Sequence, residues 1–228
     1  MTSQIDICNR ALSAIGTRSS IASLTEGSAE ATLCALHYDN TRTSVLRTHT
    51  WSFAKRQTAL ALIGAASGTP ENPLGAGILS IDPWLYYYAY PVNCLRVRSI
   101  YNPVYAGSGA KVPVIPYEIA STLDAAQNDI KIIMTNQPQV VLIYTTDIVN
   151  PDLWDQTFAD AMVASLASDL AIPLTGDKSI ATAMSQSAVQ TIAAAAVLDA
   201  NESTKPIQHT PDWVSVRGYI VPSGEDFI

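Results

Sequence analysis

Residues 150–200 read NPDLWDQTFADAMVASLASDLAIPLTGDKSIATAMSQSAVQTIAAAAVLDA, and this stretch predicts two long helices joined by a short turn. Asn150 is a favourable N-cap, and Pro151 suits the first helical position, where no amide donor is needed. Pro173 is expected to end the first helix, and Asp177 to cap the second. At 1.5 Å per residue each helix is about 30 Å long, so the pair cannot bury its own apolar faces. We expect it to pack on further helices.

Two such helices are predicted near the start of the chain. Ser3 can cap a first helix that ends near Gly16, and Ser28 can cap a longer second one. Helical spacing of apolar residues predicts the buried side of each of the four helices. The expected inward residues are Ile5, Cys8, Leu12 and Ile15; Leu33, Leu36, Val45 and Leu46; Phe158, Met162, Leu166 and Leu170; and Ile180, Met184, Ala188, Thr191, Ala195 and Leu198.

The middle of the chain has a different pattern. Glycine, serine and proline dominate residues 64–77, which predicts a long flexible connection. Beyond it, Arg96 and Arg98 alternate with apolar residues, as in a half-buried strand. Residues 130–135 and 139–146 are expected to pair as a hairpin. The sequence therefore predicts a small β unit between two helical pairs.

The predicted fold class is mainly α: an antiparallel helical bundle with an inserted small β unit and an extended C-terminal arm. The predicted segments are 1–63 for the first half of the bundle, 64–82 for a flexible loop, 83–149 for the β unit, 150–204 for the second half of the bundle and 205–228 for the arm. The arm is rich in proline but retains large apolar side chains, so we expect it to dock on its own domain or on a neighbour.

Composition limits the classes of function. Apolar residues make up 48% of the 228 residues and charged residues only 14%, whereas about 25% charged is usual in soluble domains. Such a chain is expected to cover much of its surface with partners. No run reaches the roughly 18 apolar residues of a membrane span, and no signal peptide is evident, so we expect no membrane partner. A net charge of −7 argues against a sequence-reading DNA binder.

The residues that could carry chemistry are sparse. Cys8, Cys34 and Cys94 lie in apolar surroundings and are expected to be buried free thiols, with a reactive thiol or a disulfide as alternatives. The three histidines, His37, His49 and His209, have no metal-binding spacing, so no metal or cofactor is predicted. One enzymatic alternative remains open.

That alternative is a hydrolase that uses carboxylates of the third helix. Asp155, Asp160 and Asp169 lie on this helix, and paired carboxylates can serve as acid and base when their environments separate their pKa values. The other interpretation is that these carboxylates are solvated or form ion pairs at an interface. It does not require the three side chains to lie close together.

Three stretches, in this order, resemble the head-to-tail connector proteins of short-tailed bacteriophages, the tail tubular protein A or adaptor family. They are Trp51-Ser52-Phe53-Ala54, residues 88–97 (YAYPVNCLRV) and residues 147–177, which contain LAIPLTGD. Asn93 departs from the family pattern, because the family more often has an acidic residue there. The matching stretches fall within about the first 200 residues.

The resemblance implies a structural protein rather than an enzyme. Such connectors form a ring, usually of twelve copies, between the portal and the tail nozzle of the virion, and DNA passes through the ring during ejection. The ring would be assembled in the host cytoplasm. Twelve copies would carry twelve times −7, or −84 formal charges. A lumen of that sign would not retain phosphates, so DNA could slide through.

Two groups of interface residues are predicted, one from the resemblance and one from the distribution of basic residues. In such connectors the C-terminal arm is thought to reach the portal, which here indicates a portal or neighbour interface at Trp213, Val216, Arg217, Tyr219 and Phe227. The densest basic residues are Arg42, Arg47, Lys55 and Arg56. We interpret them as a ring or nozzle interface, with a solvated face and contact with the DNA backbone as alternatives.

Overall fold

The computed structural model describes residues 3–65, 83–105, 115–123 and 127–202. Within these ranges four α-helices and seven strands form. The helices are α1 (Gln4–Ala14), α2 (Ala29–Thr48), α3 (Gln156–Thr175) and α4 (Lys178–Glu202). The strands are β1 (Lys55–Ala59), β2 (Leu62–Ala65), β3 (Tyr86–Ala89), β4 (Cys94–Tyr101), β5 (Tyr117–Leu123), β6 (Asp129–Thr135) and β7 (Val141–Thr146). Short 3-10 helices cover Pro103–Tyr105 and Pro151–Leu153.

The prediction of a mainly α fold with a small β unit is wrong. The described part of the chain is 47% helical and 24% strand, arranged as four helices and two antiparallel sheets, so the fold is a mixture of helices and sheets. The strand β1 lies within the segment that was assigned to the bundle. Four of its five residues are exposed, so no buried alternation marks it in the sequence. Its partner β7 defines it through backbone hydrogen bonds.

Both early helices start where their caps predict. The Ser3 hydroxyl accepts a hydrogen bond from the Asp6 N–H, and the Asp6 carboxylate accepts one from the Ser3 N–H, each at 3.1 Å. These bonds from Ser3 lower the pKa of Asp6. Ser28 caps α2 in the same manner by accepting from the Ala31 N–H. Gly16, with a φ of 84°, follows the end of α1.

Most of the predicted inward residues are buried or half-buried, with two clear exceptions. Leu36 is 63% exposed and Leu198 is 53% exposed, so the prediction that they face the core is wrong. In α2 the buried positions are instead Ala31, Cys34, Tyr38, Thr41, Arg42, Val45 and Leu46. The core side of α2 is therefore partly polar, which a search for apolar spacing does not detect.

The start of α3 and the turn between α3 and α4 differ from the prediction. Asn150 caps the short 3-10 helix, and α3 starts later, with Asp155 as its N-cap. Pro173 does not end α3, which continues to Thr175. The helix ends at Gly176, whose φ of 65° is left-handed and whose N–H donates to the carbonyl of Ile172 at 3.0 Å. Only Leu174 and Thr175 of the helix follow the proline, so the lost backbone bond lies at its very end and is tolerated.

An aromatic cluster forms the centre of the helical core. Phe158 of α3 packs edge-on against Trp51 and Trp154, with ring centroids 5.1 and 5.0 Å apart. The indole N–H groups of Trp51 and Trp154 donate to the carbonyls of Val45 and Ile148, both at 2.9 Å. These rings are buried and their polar atoms are satisfied, so the cluster combines apolar burial with a fixed orientation.

The seven strands form two antiparallel sheets with the orders β1-β7-β4 and β2-β3-β6-β5. The predicted hairpin of residues 130–135 and 139–146 is therefore wrong, because β6 and β7 belong to different sheets. The connection between them passes from one sheet to the other. Residues of both sheets share one apolar cluster, which includes Tyr88 and Ile133 from one sheet and Val97, Leu142 and Tyr144 from the other.

Replacement of Phe158 by alanine tests the central cluster. Phe158 has no exposed surface, so Phe158→Ala is expected to lower the free energy of unfolding by about 3–5 kcal/mol through lost burial and the cavity left behind. Urea denaturation followed by circular dichroism measures the change. The matched control is Val104→Ala, at a side chain that is 74% exposed, where a change within about 0.5 kcal/mol is expected. Equal effects of the two variants would contradict the assignment of this core.

Candidate interaction surfaces

Arg42, the first of the predicted basic interface residues, lies inside the chain. Its side chain is 6% exposed, and Nε and Nη2 each donate to one oxygen of the Asp147 carboxylate at 3.1 Å. Nη1 also donates to Asp39. Burial lowers the pKa of Arg42, but the bonds and charges of Asp147 and Asp39 more than offset this, so its pKa is raised. Arg42 therefore fastens α2 to the chain that leaves β7.

The other three predicted basic residues are exposed but do not share one face. Lys55 and Arg56 are adjacent on β1 and point to opposite sides of the sheet. Lys55 is in register with Thr145 of β7, which is in register with Arg96 of β4. The structure thus brings Lys55 to the same sheet face as Arg96 and separates it from Arg56. Arg47 lies in the last turn of α2.

Lys55, Arg96 and Arg98 line a concavity of about 550 Å³ that we call the basic groove. Its other lining residues are Thr48, His49, Thr50, Val97, Ser99 and Ile143. None of these described lining residues is acidic. The sequence predicted Arg96 and Arg98 on one side of a strand but gave them no role; both line the groove, although β4 does not alternate regularly, because its register shifts between Val97 and Ser99.

Hydrogen bonds within the chain hold the two arginines of the groove. Arg98 donates from Nη2 to the carbonyl of Trp51 at 2.6 Å and from Nε to the Thr145 hydroxyl at 2.9 Å. Arg96 donates from Nη1 to the carbonyl of Arg47 at 3.3 Å. Burial lowers the pKa of Arg98, and the charge of Asp199 opposes that effect. The guanidinium groups are therefore held in place before any partner binds.

Asp199 fastens the end of α4 at the rim of the basic groove. This residue is 5% exposed, and its carboxylate accepts from the Ser52 N–H at 2.8 and 3.1 Å. His49 Nε2 lies 3.3 Å from Asp199 Oδ2. Ala188 and Ala195 face inward as predicted, but at the end of the helix Asp199 is buried and Leu198, which was expected to face inward, is exposed.

The remainder of α4 presents an uncovered apolar surface. No charged residue lies between Lys178 and Asp199, and the only buried residues of the helix are Ala188, Ala195 and Asp199. Val189, Val197 and Leu198 are 66%, 62% and 53% exposed. We call the surface formed by Val189, Gln190, Ala193, Ala194, Val197 and Leu198 the α4 face. At about 37 Å this helix is long enough for an extensive contact.

By length and composition alone, α3 and α4 could each cross a membrane. Half of the α3 window is buried, and the helical core accounts for its apolar character. Only 11% of the α4 window is buried, so the apolar side chains of α4 require another cover. The α4 face is therefore a candidate contact surface.

The three carboxylates of the hydrolase hypothesis serve different contacts. Asp155 caps α3 by accepting from the Thr157 N–H at 3.1 Å. Asp160 accepts from Arg10 at 2.5 Å, and Asp169 accepts from the Thr41 hydroxyl at 2.6 Å. The structure does not bring these carboxylates together as a pair. The depression beside Asp169 has a volume of about 170 Å³, below the roughly 300 Å³ at which ligand pockets begin.

The cysteines are buried and free, as predicted. A hydrogen bond with Cys34 and burial raise the pKa of the Cys8 thiol. Within the described ranges, no three histidine, cysteine or acidic side chains are grouped so as to hold a metal ion. His209 and the arm residues Trp213, Val216, Arg217, Tyr219 and Phe227 lie outside the described residues, so their roles stay predictions.

The pair Arg42–Asp147 provides a test of how the helices are joined to the sheets. Asp147→Ala is expected to lower the free energy of unfolding by about 3 kcal/mol, because Arg42 loses its bidentate partner inside the protein. Removal of both charges in Arg42→Met with Asp147→Leu should restore part of the loss. Asp152→Ala, at an exposed carboxylate, is the control. Urea denaturation of all three proteins measures these values, and an equal loss in Asp147→Ala and the control would refute the role of the pair.

A scan against models of protein families finds no family that matches this chain, and a search among curated proteins finds no match either. The resemblance to phage connectors is therefore not tested by comparison and stays a prediction.

Proposed function

We propose that this chain is a structural subunit that assembles with copies of itself into a ring, and that the ring is the head-to-tail connector of a virion. The observation that carries the proposal is the α4 face: a long helix without internal charge whose apolar side chains stay largely uncovered in the single chain. Exposed apolar surfaces of this extent are typical of contacts between proteins.

Another protein surface is a better cover for α4 than lipid. The α4 face includes Gln190, and Gln186 and Thr191 lie nearby on the same helix; such polar groups are unfavourable in hydrocarbon. The helix is also packed on α3 through Ala188 and Ala195 and fastened at Asp199. It could enter a bilayer as a spanning helix only by breaking these buried contacts.

A second copy of the same chain can cover the α4 face, so no other protein is required for this contact. When one face of a subunit contacts a different face of the next, the assembly closes into a ring if the rotation permits. The small side chains Ala193 and Ala194 on the α4 face allow a neighbouring backbone to approach closely. The resemblance then supplies the finer proposal: twelve copies, a place between the portal and the tail nozzle, and passage of double-stranded DNA.

Charge supports the same proposal. The chain is acidic, with a net charge of −7, and a ring of such subunits repels DNA phosphates rather than binding them. The hydrolase alternative, in contrast, requires two carboxylates at a common pocket. Asp155, Asp160 and Asp169 instead have separate hydrogen-bond partners, so the geometry favours a structural protein.

A charge placed in the α4 face should prevent assembly without unfolding the subunit. The test variant is Val189→Glu with Val197→Glu, because each new carboxylate would be desolvated in the subunit contact. Native mass spectrometry over a concentration series, alone and with the portal protein of the same virus, measures the oligomer. We expect rings from the unchanged chain and self-association weakened at least about tenfold in the variant, or 1.4 kcal/mol.

The control for this experiment is Val92→Glu, at a fully exposed residue between β3 and β4. This variant should assemble like the unchanged chain, and circular dichroism should be the same for all three proteins. The ring proposal fails if the unchanged chain stays monomeric even with portal protein, or if both variants assemble equally. Flotation of the unchanged chain with lipid vesicles would instead assign the α4 face to a membrane.

A further inference from the structure

The basic groove is a second surface that nothing in the described chain covers. Lys55 and Arg96 are exposed, and neither forms an ion pair with another described residue. The Asp199 carboxylate at the rim already accepts from the Ser52 N–H and contacts His49. A cationic depression in a chain of net charge −7 is thus free to receive carboxylates.

The end of α4 brings the following chain to this groove. Asp199 is fastened at the rim, and α4 ends three residues later at Glu202. The sequence then continues for 26 residues outside the described part, from Ser203 to Ile228. This segment therefore starts next to the basic groove. Its 22 residues before Glu225 could span up to about 70 Å, so its reach does not restrict a return to the groove.

One short stretch of that segment matches the groove in chemistry and order. Residues 225–228 are Glu-Asp-Phe-Ile, two carboxylates followed by two large apolar side chains. The groove offers Lys55 and Arg96 for the carboxylates and the apolar side chains of Val97 and Ile143 beside them. We propose that residues 225–228 bind in the basic groove of their own subunit.

The strength of the contacts favours a tethered occupant. An exposed ion pair contributes only about 0.2–1 kcal/mol, so a few such pairs would hold a separate acidic peptide or a phosphate weakly. A segment of the same chain is present at an effective concentration of the order of millimolar. Half occupancy at that concentration needs about 4 kcal/mol, so the ion pairs must be supplemented by burial of the two apolar side chains of residues 225–228. The binding does not require the ring, so it can be tested in subunits that have not assembled.

Zero-length carbodiimide coupling tests the proposal in the full chain. The reagent joins an amine to a carboxylate in direct contact, and Lys55 supplies the amine of the groove. Peptide mass spectrometry should find a link from Lys55 to Glu225 or Asp226. Lys178 is the internal control, because it is also exposed and lies at the other end of α4, about 31 Å from Asp199 along the helix. A link to Lys178 at equal yield would overturn the proposal.

Two further arms separate specific binding from random contact. Arg96→Glu should lower the yield of the Lys55 link at least about threefold by repelling the carboxylates. Arg56→Glu changes the same charge on the opposite face of β1 and should leave the yield unchanged. Equal yields in these variants would overturn the proposal.

Isotope mixing identifies which subunit supplies the segment. Carbodiimide is added to an equal mixture of unlabelled and ¹⁵N-labelled full-length protein, and the linked peptides are weighed. Links within one isotope only are expected. Links that combine the two isotopes in the statistical proportion would show that the segment binds a neighbouring subunit, which overturns the assignment to its own groove and leaves the ring proposal untouched.

Discussion

Phe158 packs edge-on between Trp51 and Trp154, and this contact holds the helices and the sheets together. Trp51 lies just before β1, and Trp154 lies after β7. Because β1 and β7 are paired in one sheet, the two chain segments that link the helical core to the sheets run side by side. The aromatic cluster packs both segments against α3. Loss of Phe158 would therefore loosen the junction as well as the helical core.

Two polar contacts reinforce the same boundary. Arg42 of α2 binds Asp147, which directly follows β7, and Asp199 of α4 accepts from the backbone ahead of β1. Buried ionic contacts contribute little net stability, since desolvation offsets much of the attraction, but an unpaired member is strongly unfavourable. Their effect here is to fix one position of each helix relative to the sheets. The contact of Asp199 with the Ser52 N–H places Asp199 inward and leaves Leu198 exposed at this end of α4.

With the helices fixed in this way, two surfaces of different chemistry are uncovered within the part of the chain that the structure describes. The α4 face is apolar and long, whereas the basic groove is cationic and confined. The first surface matches another apolar surface, and the second matches carboxylates or phosphates. This division agrees with the proposed assembly from copies of the chain and with the proposed binding of residues 225–228. Each of the three carboxylates of α3 is occupied by a cap or by a cross-link between helices.

The sequence by itself determined what short-range bonds and burial preferences decide: the caps at Ser3, Ser28 and Asp177, the four helices, and the buried free cysteines. These features depend on residues three or four positions apart or on side-chain polarity, so they could be predicted. Tertiary contacts alone decided that the exposed segment of β1 is a strand, that β6 and β7 belong to different sheets, and that Arg42 and Asp199 are buried. Each of these outcomes depends on a partner residue about 100 or more positions away in the chain, or on a second sheet. The spacing of residues within one segment does not indicate such distant partners. The basic groove is the clearest case, because Lys55 and Arg96 meet only through the strand that pairs with both.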